Sequence, residues 1–389
     1  MRSRAFVRLA FGLLPAILVT MALAVAAPGG LAAAADTPAP LPVSERDGVQ
    51  FVDARDLGVE GRGWPDADFA APFDRLPAKA QEKVRPDVWN LSRHSAGLSV
   101  RFVTDAPAIH ARWTLTSDSL AMPHMPATGV SGLDLYARDD AGHWRWVACA
   151  TPNKAGVEQG GVVVDELAPG KREWLLYLPL YNGVTSLEIG VPAGATLERA
   201  PAALRGRDKP IVFYGTSITH GACASRPGTC HTALLHRRYG RPVVNLGFSG
   251  NGRMEPEVGE LLAEIDAAMF VIDCCPNIDG PTTAARTRPL VELLRKARPD
   301  TPILLVEDRR YTDSWLRPGK KARNDANHAA LKAAYDELVA AGVPGLHYLG
   351  GDDLLGADGE GTVDSSHPTD SGFVDHAKAF AKVLDPFFR

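Results

Sequence analysis

Residues 211–219 read Ile-Val-Phe-Tyr-Gly-Thr-Ser-Ile-Thr, and the fold is decided there. Four consecutive apolar residues with no polar alternation predict a strand buried on both faces, as in parallel sheets. Gly215 and Thr216 end that strand and place Ser217 just beyond its carboxyl end, the edge where open α/β sheets build their sites. Downstream the pattern repeats. Buried runs at 243–246, 269–272, 303–306 and 346–349 alternate with apolar residues at helical spacing in 257–265, 288–297 and 326–341. Strand, helix, strand in this rhythm predicts a parallel sheet covered by helices on both faces.

Upstream, from about residue 48 to 200, the apolar runs are short: 98–103, 108–115, 133–137, 144–148, 161–164, 174–178 and 184–189. Turn-rich pieces such as Asp139-Asp140-Ala141-Gly142 and Ala168-Pro169-Gly170 separate them. Many short strands at this spacing predict a β-sandwich. The chain therefore divides into a sandwich domain over 48–200 and an α/β domain over 208–389, with the boundary around Arg205-Gly206-Arg207-Asp208. Two domains also suit 389 residues of which 45% are hydrophobic and 23% charged.

Residues 1–35 stand apart. Arg2, Arg4 and Arg8 precede an uncharged apolar run from Leu9 to Ala27, and small residues follow up to Ala35. That order predicts a secretory signal peptide cleaved near Ala35, hence a secreted or periplasmic protein; an uncleaved anchor is the alternative for a run of this length. After cleavage no second run is long enough to span a bilayer, so stable membrane insertion is not expected. A formal net charge of -4 with interspersed signs excludes a basic stripe for nucleic acid. Cys149, Cys223, Cys230, Cys274 and Cys275 lack the paired spacing of a zinc site, so neither metal nor cofactor is expected. Whether Cys223 and Cys230 bridge or remain thiols stays open, since export permits a disulfide without demanding one. Composition is silent on oligomeric state.

Four segments carry chemistry. A serine after a strand ordinarily caps a helix, so Ser217 needs a base and an oxyanion site to count as a nucleophile. Asp364 precedes His367 by three residues, a spacing that lets a carboxylate orient an imidazole while the other ring nitrogen takes a proton. Asn245-Leu-Gly-Phe-Ser-Gly250-Asn-Gly252 follows the second strand, where glycines let a backbone N–H approach a developing oxyanion. Asp273-Cys-Cys-Pro-Asn277 ends the third strand and offers a side-chain amide. Each segment has an ordinary turn-residue explanation, but one cleft at the sheet edge can collect all four.

In that order these blocks resemble SGNH (GDSL-type) hydrolases, with Ser, Gly, Asn and His at 217, 250, 277 and 367. The resemblance implies a flavodoxin-like three-layer α/β/α domain, Ser217 as nucleophile, His367 as base held by Asp364, and an oxyanion hole of Ser217 N–H, Gly250 N–H and the Asn277 amide. Gly132-Leu-Asp134-Leu-Tyr136 matches the Gly-x-Asp-Leu-Tyr signature of a subgroup whose N-terminal domain is a jelly-roll-like sandwich. One departure is Thr216, where the usual motif has Asp before the nucleophile. The resemblance implies an acyl-enzyme mechanism and an ester substrate, small or polymeric, most simply a short acyl group such as acetyl on a carbohydrate. A lipase, thioesterase or arylesterase activity is the alternative within the family, and a non-catalytic polysaccharide-binding protein the alternative outside it. A nucleotide-binding reading fails because Gly247, Gly250 and Gly252 are in the wrong order for G-x-G-x-x-G. His124, the tryptophans 144, 146 and 174, and Asp308-Arg309-Arg310 are secondary candidates for contacts at the cleft or with sugar, each with a plain structural alternative.

Overall fold

The computed structural model describes residues 40–152, 154, 156–202 and 207–389. The signal-peptide and cleavage readings over residues 1–35 lie outside the described residues. Leu41–Arg389 form one compact unit.

Alternation of inward apolar and outward polar residues builds two antiparallel sheets from the N-terminal half, one of five strands and one of six, the sixth being Val59–Glu60 paired beside Ser99–Thr104. One has the spatial order Ser44–Arg46, Val49–Asp53, Val184–Pro192, Ile109–Leu115, Glu158–Val164, and the other Leu197–Arg199, Ser99–Thr104, Arg172–Tyr177, Leu133–Arg138, Trp144–Ala150. Their inner faces share one core that includes Val52, Val100, Phe102, Trp113, Leu135, Trp174 and Ile189. All seven anticipated strands form, with ends shifted by up to three residues. The strands Ser44–Arg46, Val59–Glu60 and Leu197–Arg199 are too short to announce themselves in the sequence, and Val49–Asp53 is a further strand that the reading did not include.

The C-terminal half forms a five-stranded parallel sheet in the order Val243–Gly247, Ile211–Gly215, Met269–Asp273, Ile303–Val306, Leu346–Leu349. Along Ile211–Gly215 the side chains alternate between two cores. Val212 and Tyr214 face helices Pro256–Ala263, Gly280–Ala297 and Pro318–Ala340, while Ile211 and Phe213 face His231–Tyr239 and Asp370–Phe388. Trp64, Leu76, Val88 and Trp89, from a segment ahead of the sandwich's central strands, join the first of these cores.

The strand order reverses at Ile211–Gly215, since the chain goes first to one side and then to the other. That topological switch point opens a crevice between the loops following the first and third strands. Ser217 and Asn277 lie on those two loops. Gly280–Ala297 begins eight residues before the periodicity suggested, because Pro289 sits inside the helix and reads locally as a break. His231–Tyr239 escaped prediction for a related reason: His231, on its buried face, counts as polar in any hydropathy pattern. Among the described residues no helix is long and apolar enough to cross a membrane.

Candidate active site

The turn after Ile211–Gly215 runs directly into a short helix, Ser217–His220. Thr216 caps it by accepting a hydrogen bond from the Ile218 N–H, and Gly221 closes it in the left-handed region at φ 106°. The threonine at the departure from the family motif thus has a local job. It leaves Ser217 at the first helical position, 8% exposed, with its hydroxyl toward the crevice.

His367 meets it there. Ser217 Oγ lies 2.8 Å from His367 Nε2, and His367 Nδ1 lies 2.7 Å from Asp364 Oδ2. Since the carboxylate can only accept, Nδ1 carries the proton and Nε2 is left to accept from the serine hydroxyl. Asp364 Oδ1 also accepts from the backbone N–H groups of Ser366 and His367, at 3.0 and 2.8 Å. Partial burial works to raise the Asp364 carboxyl, but these bonds and the facing imidazole outweigh it and hold the group below its ordinary range.

The loop that presents His367 is braced from outside. Ser365 sits at φ 71°, a left-handed conformation that a serine adopts at a cost. It is pinned by Thr362 Oγ1, which accepts its N–H at 3.0 Å, and by Lys320 Nζ, which donates to its hydroxyl at 2.5 Å. Arg309, 2% exposed, donates to the Ser366 hydroxyl and to the Ser366 carbonyl, the latter at 3.3 Å. Its counter-ion is buried Asp308, itself held by Arg323 and Asn324 at 3.1 Å each. Asp308 and Arg309 therefore form a buried strut rather than a solvated loop, and Arg310 pairs at the surface with Asp325 and Asp352.

The oxyanion candidates come together on the other side of the crevice. Asn277 Nδ2 donates to Gly252 O at 3.2 Å and, at the long end of hydrogen-bonding range, to Phe248 O at 3.4 Å, which ties it to the glycine loop. Gly250 sits at φ 69°, so its place is set by backbone conformation. Gly252 is set by space, since a Cβ there would lie 1.8 Å from Gly215 O. The glycine loop is thereby pressed against the strand end that carries Ser217.

Several residues at the site had no signal in the sequence. Tyr181, from the sandwich half, donates its hydroxyl to Ser217 O at 3.3 Å and stacks on His220 with ring centroids 4.1 Å apart. Arg75, fully buried, donates to Asn245 O and Gly247 O at 3.0 and 2.8 Å, and to His94 O and Leu91 O. Asn245 in turn donates to Thr219 O at 2.7 Å. These are long-range partners whose pairing depends on a fold already made.

The Gly-x-Asp-Leu-Tyr strand also acquires a physical meaning. Asp134, wholly buried, accepts from Arg226 Nη1 at 2.9 Å, Gly228 N at 2.7 Å and Trp146 Nε1 at 2.9 Å. Tyr136 OH accepts from the same guanidinium at 2.6 Å. The signature therefore clamps the sandwich to the 226–228 turn. Burial pushes the Asp134 carboxyl above its ordinary range, against the pull of Arg226 and the two N–H donors.

The remaining secondary candidates resolve plainly. His124 is exposed on a loop between Met122 and Met125, which bridge each other. Trp174 is in the sandwich core, whereas Trp146 is 51% exposed and lies under Arg226. With Trp144 under Arg138, the three indoles do not form one platform. All five cysteines are thiols, so Cys223 and Cys230 are not bridged.

Residues 208–385 match the model of the GDSL-like lipase/acylhydrolase family, and residues 49–197 match the GxDLY N-terminus of SGNH-hydrolase-type esterases. Among solved structures, a Bacteroides ovatus protein described as a GDSL-like lipase is 35% identical, with a TM-score of 0.81, over 87% of this chain and 98% of its own. A salicylyl-acyltransferase from a tetracycline biosynthetic pathway shares the fold at 18% identity and a TM-score of 0.63, over 89% of this chain and 92% of its own. An acetyl xylan esterase of the rumen bacterium Butyrivibrio proteoclasticus does so at 11% identity and a TM-score of 0.55, over 87% and 98%. A curated relative, the tryptophan synthase alpha chain of Caulobacter sp. (strain K31), is 28% identical over 163 residues, and the chain spans only 55% of that protein's length. The chain belongs to the GDSL-like lipase/acylhydrolase family, in the SGNH esterase group that carries the GxDLY N-terminal region.

Proposed function

We propose that the protein is an exported serine esterase that removes short acyl groups, acetyl foremost, from a carbohydrate. The observation that carries the reading is the unbroken hydrogen-bonded chain from Ser217 Oγ through His367 to Asp364. His367 Nε2 takes the Ser217 proton as the oxygen attacks the ester carbonyl, and Asp364 stabilises the imidazolium that forms. The oxyanion is held by the N–H groups of Ser217 and Gly250 and by the Asn277 amide. His367 then gives its proton to the departing alcohol. Water, activated by the same imidazole, attacks the acyl-enzyme and restores Ser217.

The carbohydrate part of the reading is supported by three features. The acetyl xylan esterase shares the fold. The pattern of residues 1–35 suits export to where polysaccharides are met. Trp315, 83% exposed, stands on a segment whose Thr312 N–H donates to Ser365 O at 3.1 Å, beside the histidine loop, and an exposed indole is a face on which a sugar ring packs. The test is hydrolysis of nitrophenyl esters of two to twelve carbons and of acetylated polysaccharides, by wild type and Ser217→Ala. Expected are preference for the shortest ester, release of acetate from polymer, and loss of at least about a thousandfold in kcat for Ser217→Ala. A preference for long chains would replace the carbohydrate reading with a lipase-type one, and undiminished turnover by the variant would remove the serine mechanism.

A further inference from the structure

Behind the nucleophile turn, on the side away from the crevice, three potential ligands converge in the core. His231, Asp273 and His376 each offer one ligand atom, and these atoms lie within 4.8 Å of one another. The residues are 0%, 2% and 1% exposed. They come from three separate places: the start of helix His231–Tyr239, the end of strand Met269–Asp273 and the middle of helix Asp370–Phe388.

The hydrogen bonding around them is one-sided. His376 Nδ1 lies 2.8 Å from Leu354 O, and because a carbonyl only accepts, that nitrogen carries the ring proton. His376 Nε2 is then a bare lone pair, and it has no hydrogen-bond partner among the described residues. Neither ring nitrogen of His231 has one. Asp273 Oδ2 accepts from Thr219 Oγ1 at 2.9 Å, which orients the carboxylate. The His231 ring is walled by Phe373 and Phe380, stacked at centroid distances of 5.8 and 5.4 Å, and by Phe213 edge-on at 5.5 Å. Ring nitrogens left unpaired in such a setting, donor or acceptor, cost about 1–3 kcal/mol each.

We propose that this cluster is a structural site for a first-row divalent cation, zinc foremost, held by His231, Asp273 and His376. Two imidazoles and one carboxylate are a ligand set suited to zinc, supplying three of its four tetrahedral positions and leaving the fourth to a water. An imidazole that ligates through one nitrogen and donates from the other to a carbonyl has the arrangement His376 shows here, and a hydroxyl oriented on the carboxylate is the matching outer contact. Tetrahedral zinc needs its ligand atoms about 3.3 Å apart, so the cluster closes by small side-chain rotations. The ion would join a strand to the two helices packed on that face of the sheet. It would also fix Asp273 against Thr219, two residues from Ser217, and so stiffen the nucleophile turn without touching substrate.

The test uses the whole protein without a histidine tag, purified from zinc-containing medium. Elemental analysis by plasma mass spectrometry is expected to find about one equivalent of zinc per chain, and dipicolinate is expected to lower the melting midpoint by several degrees, restored by zinc. His376→Gln should lose the metal while His124→Gln, on the surface, keeps it. Wild type that holds under about a tenth of an equivalent after refolding with zinc, with a melting midpoint insensitive to chelator, would overturn the proposal in favour of a buried water or shared proton. Zinc retained in full by folded His376→Gln would overturn it equally. The first measurement needs no variant, so a misfolded His376→Gln does not leave the question open.

Discussion

Each member of the Ser217–His367–Asp364 chain is constrained by a different kind of contact, and substitutions should separate them. Ser217 is held by its helix position, His367 by its two hydrogen bonds, and Asp364 by two backbone N–H groups as well as the imidazole. Asp364→Asn keeps the backbone bonds but can turn its amide N–H toward Nδ1 and force the wrong tautomer. Its expected cost is roughly a thousandfold in kcat with KM little changed, read by steady-state kinetics on a short nitrophenyl ester. Asn277→Ala removes one of the proposed oxyanion donors and the tie to Gly252 and Phe248. It is expected to lower kcat on the order of a hundredfold or more, and a loss confined to KM would count against its place in the oxyanion hole. The Asp364 carboxyl lies below its ordinary range, so its contribution to stability is complete above the unfolded value and disappears only as pH falls through the folded one. Acid inactivation near pH 5 therefore does not arise at Asp364.

The elements around the site act as struts, and two of them make separable predictions. Arg309, on the segment following Ile303–Val306, braces the histidine loop through Ser366, with no contact to Ser217 needed for its effect. Arg309→Lys keeps a charge beside Asp308 but loses the fork that reaches both Ser366 oxygens. Expected is a kcat lower by roughly ten- to a hundredfold at nearly constant KM. Activity should fall with little change in melting midpoint, whereas a purely structural role would move the midpoint and leave kcat of the folded fraction intact. The other strut is the Asp134 clamp. Asp134→Ala strands the half-buried Arg226 guanidinium and the Gly228 N–H, and the expected loss is about 3 kcal/mol in denaturant unfolding. Chemistry at Ser217 in the folded fraction should survive it, because Asp134 touches none of the reacting groups.

Across the whole molecule, burial of neutral imidazoles sets the response to acid. Burial and then Arg75 push His94 down to about 4, burial and then neighbouring arginines push His236 down to about 3, and burial foremost puts His220 well below the ordinary range. A folded-state value below the unfolded one stabilises the native protein at pH above about 6.5, and that stability is lost as pH falls toward the folded value. Each such histidine contributes up to about 1.4 kcal/mol per pH unit in that window. Melting midpoints measured from pH 7 down to pH 4.5 should therefore fall steeply, and more shallowly in His236→Phe, where one proton-binding difference is gone. A flat profile over that range would contradict the burial of these rings.

Much of the architecture was legible in the chain because it follows from local repetition. Uninterrupted apolar runs such as 211–214 and 303–306, too short for helices and bounded by turn residues, predict strands covered on both faces, and the short alternating runs before residue 200 predict strands that bury one. The positions of Ser217, the glycine loop and Asn277 at strand ends follow from the same periodicity, and the three-residue step from Asp364 to His367 is short enough to act within one loop. What tertiary structure alone decided is which distant groups meet. No local rule joins Tyr181 to Ser217, Arg75 to the glycine loop, Arg309 to Ser366, or His231 and His376 to Asp273, since each pair is brought together by packing of separate elements. It also decided that Cys223 and Cys230 remain thiols and that Pro289 stays inside a helix. The physical reason is one of range: hydrophobic period and turn chemistry act over a few residues, whereas pairing of buried polar groups is settled by three-dimensional neighbours that the linear order does not reveal.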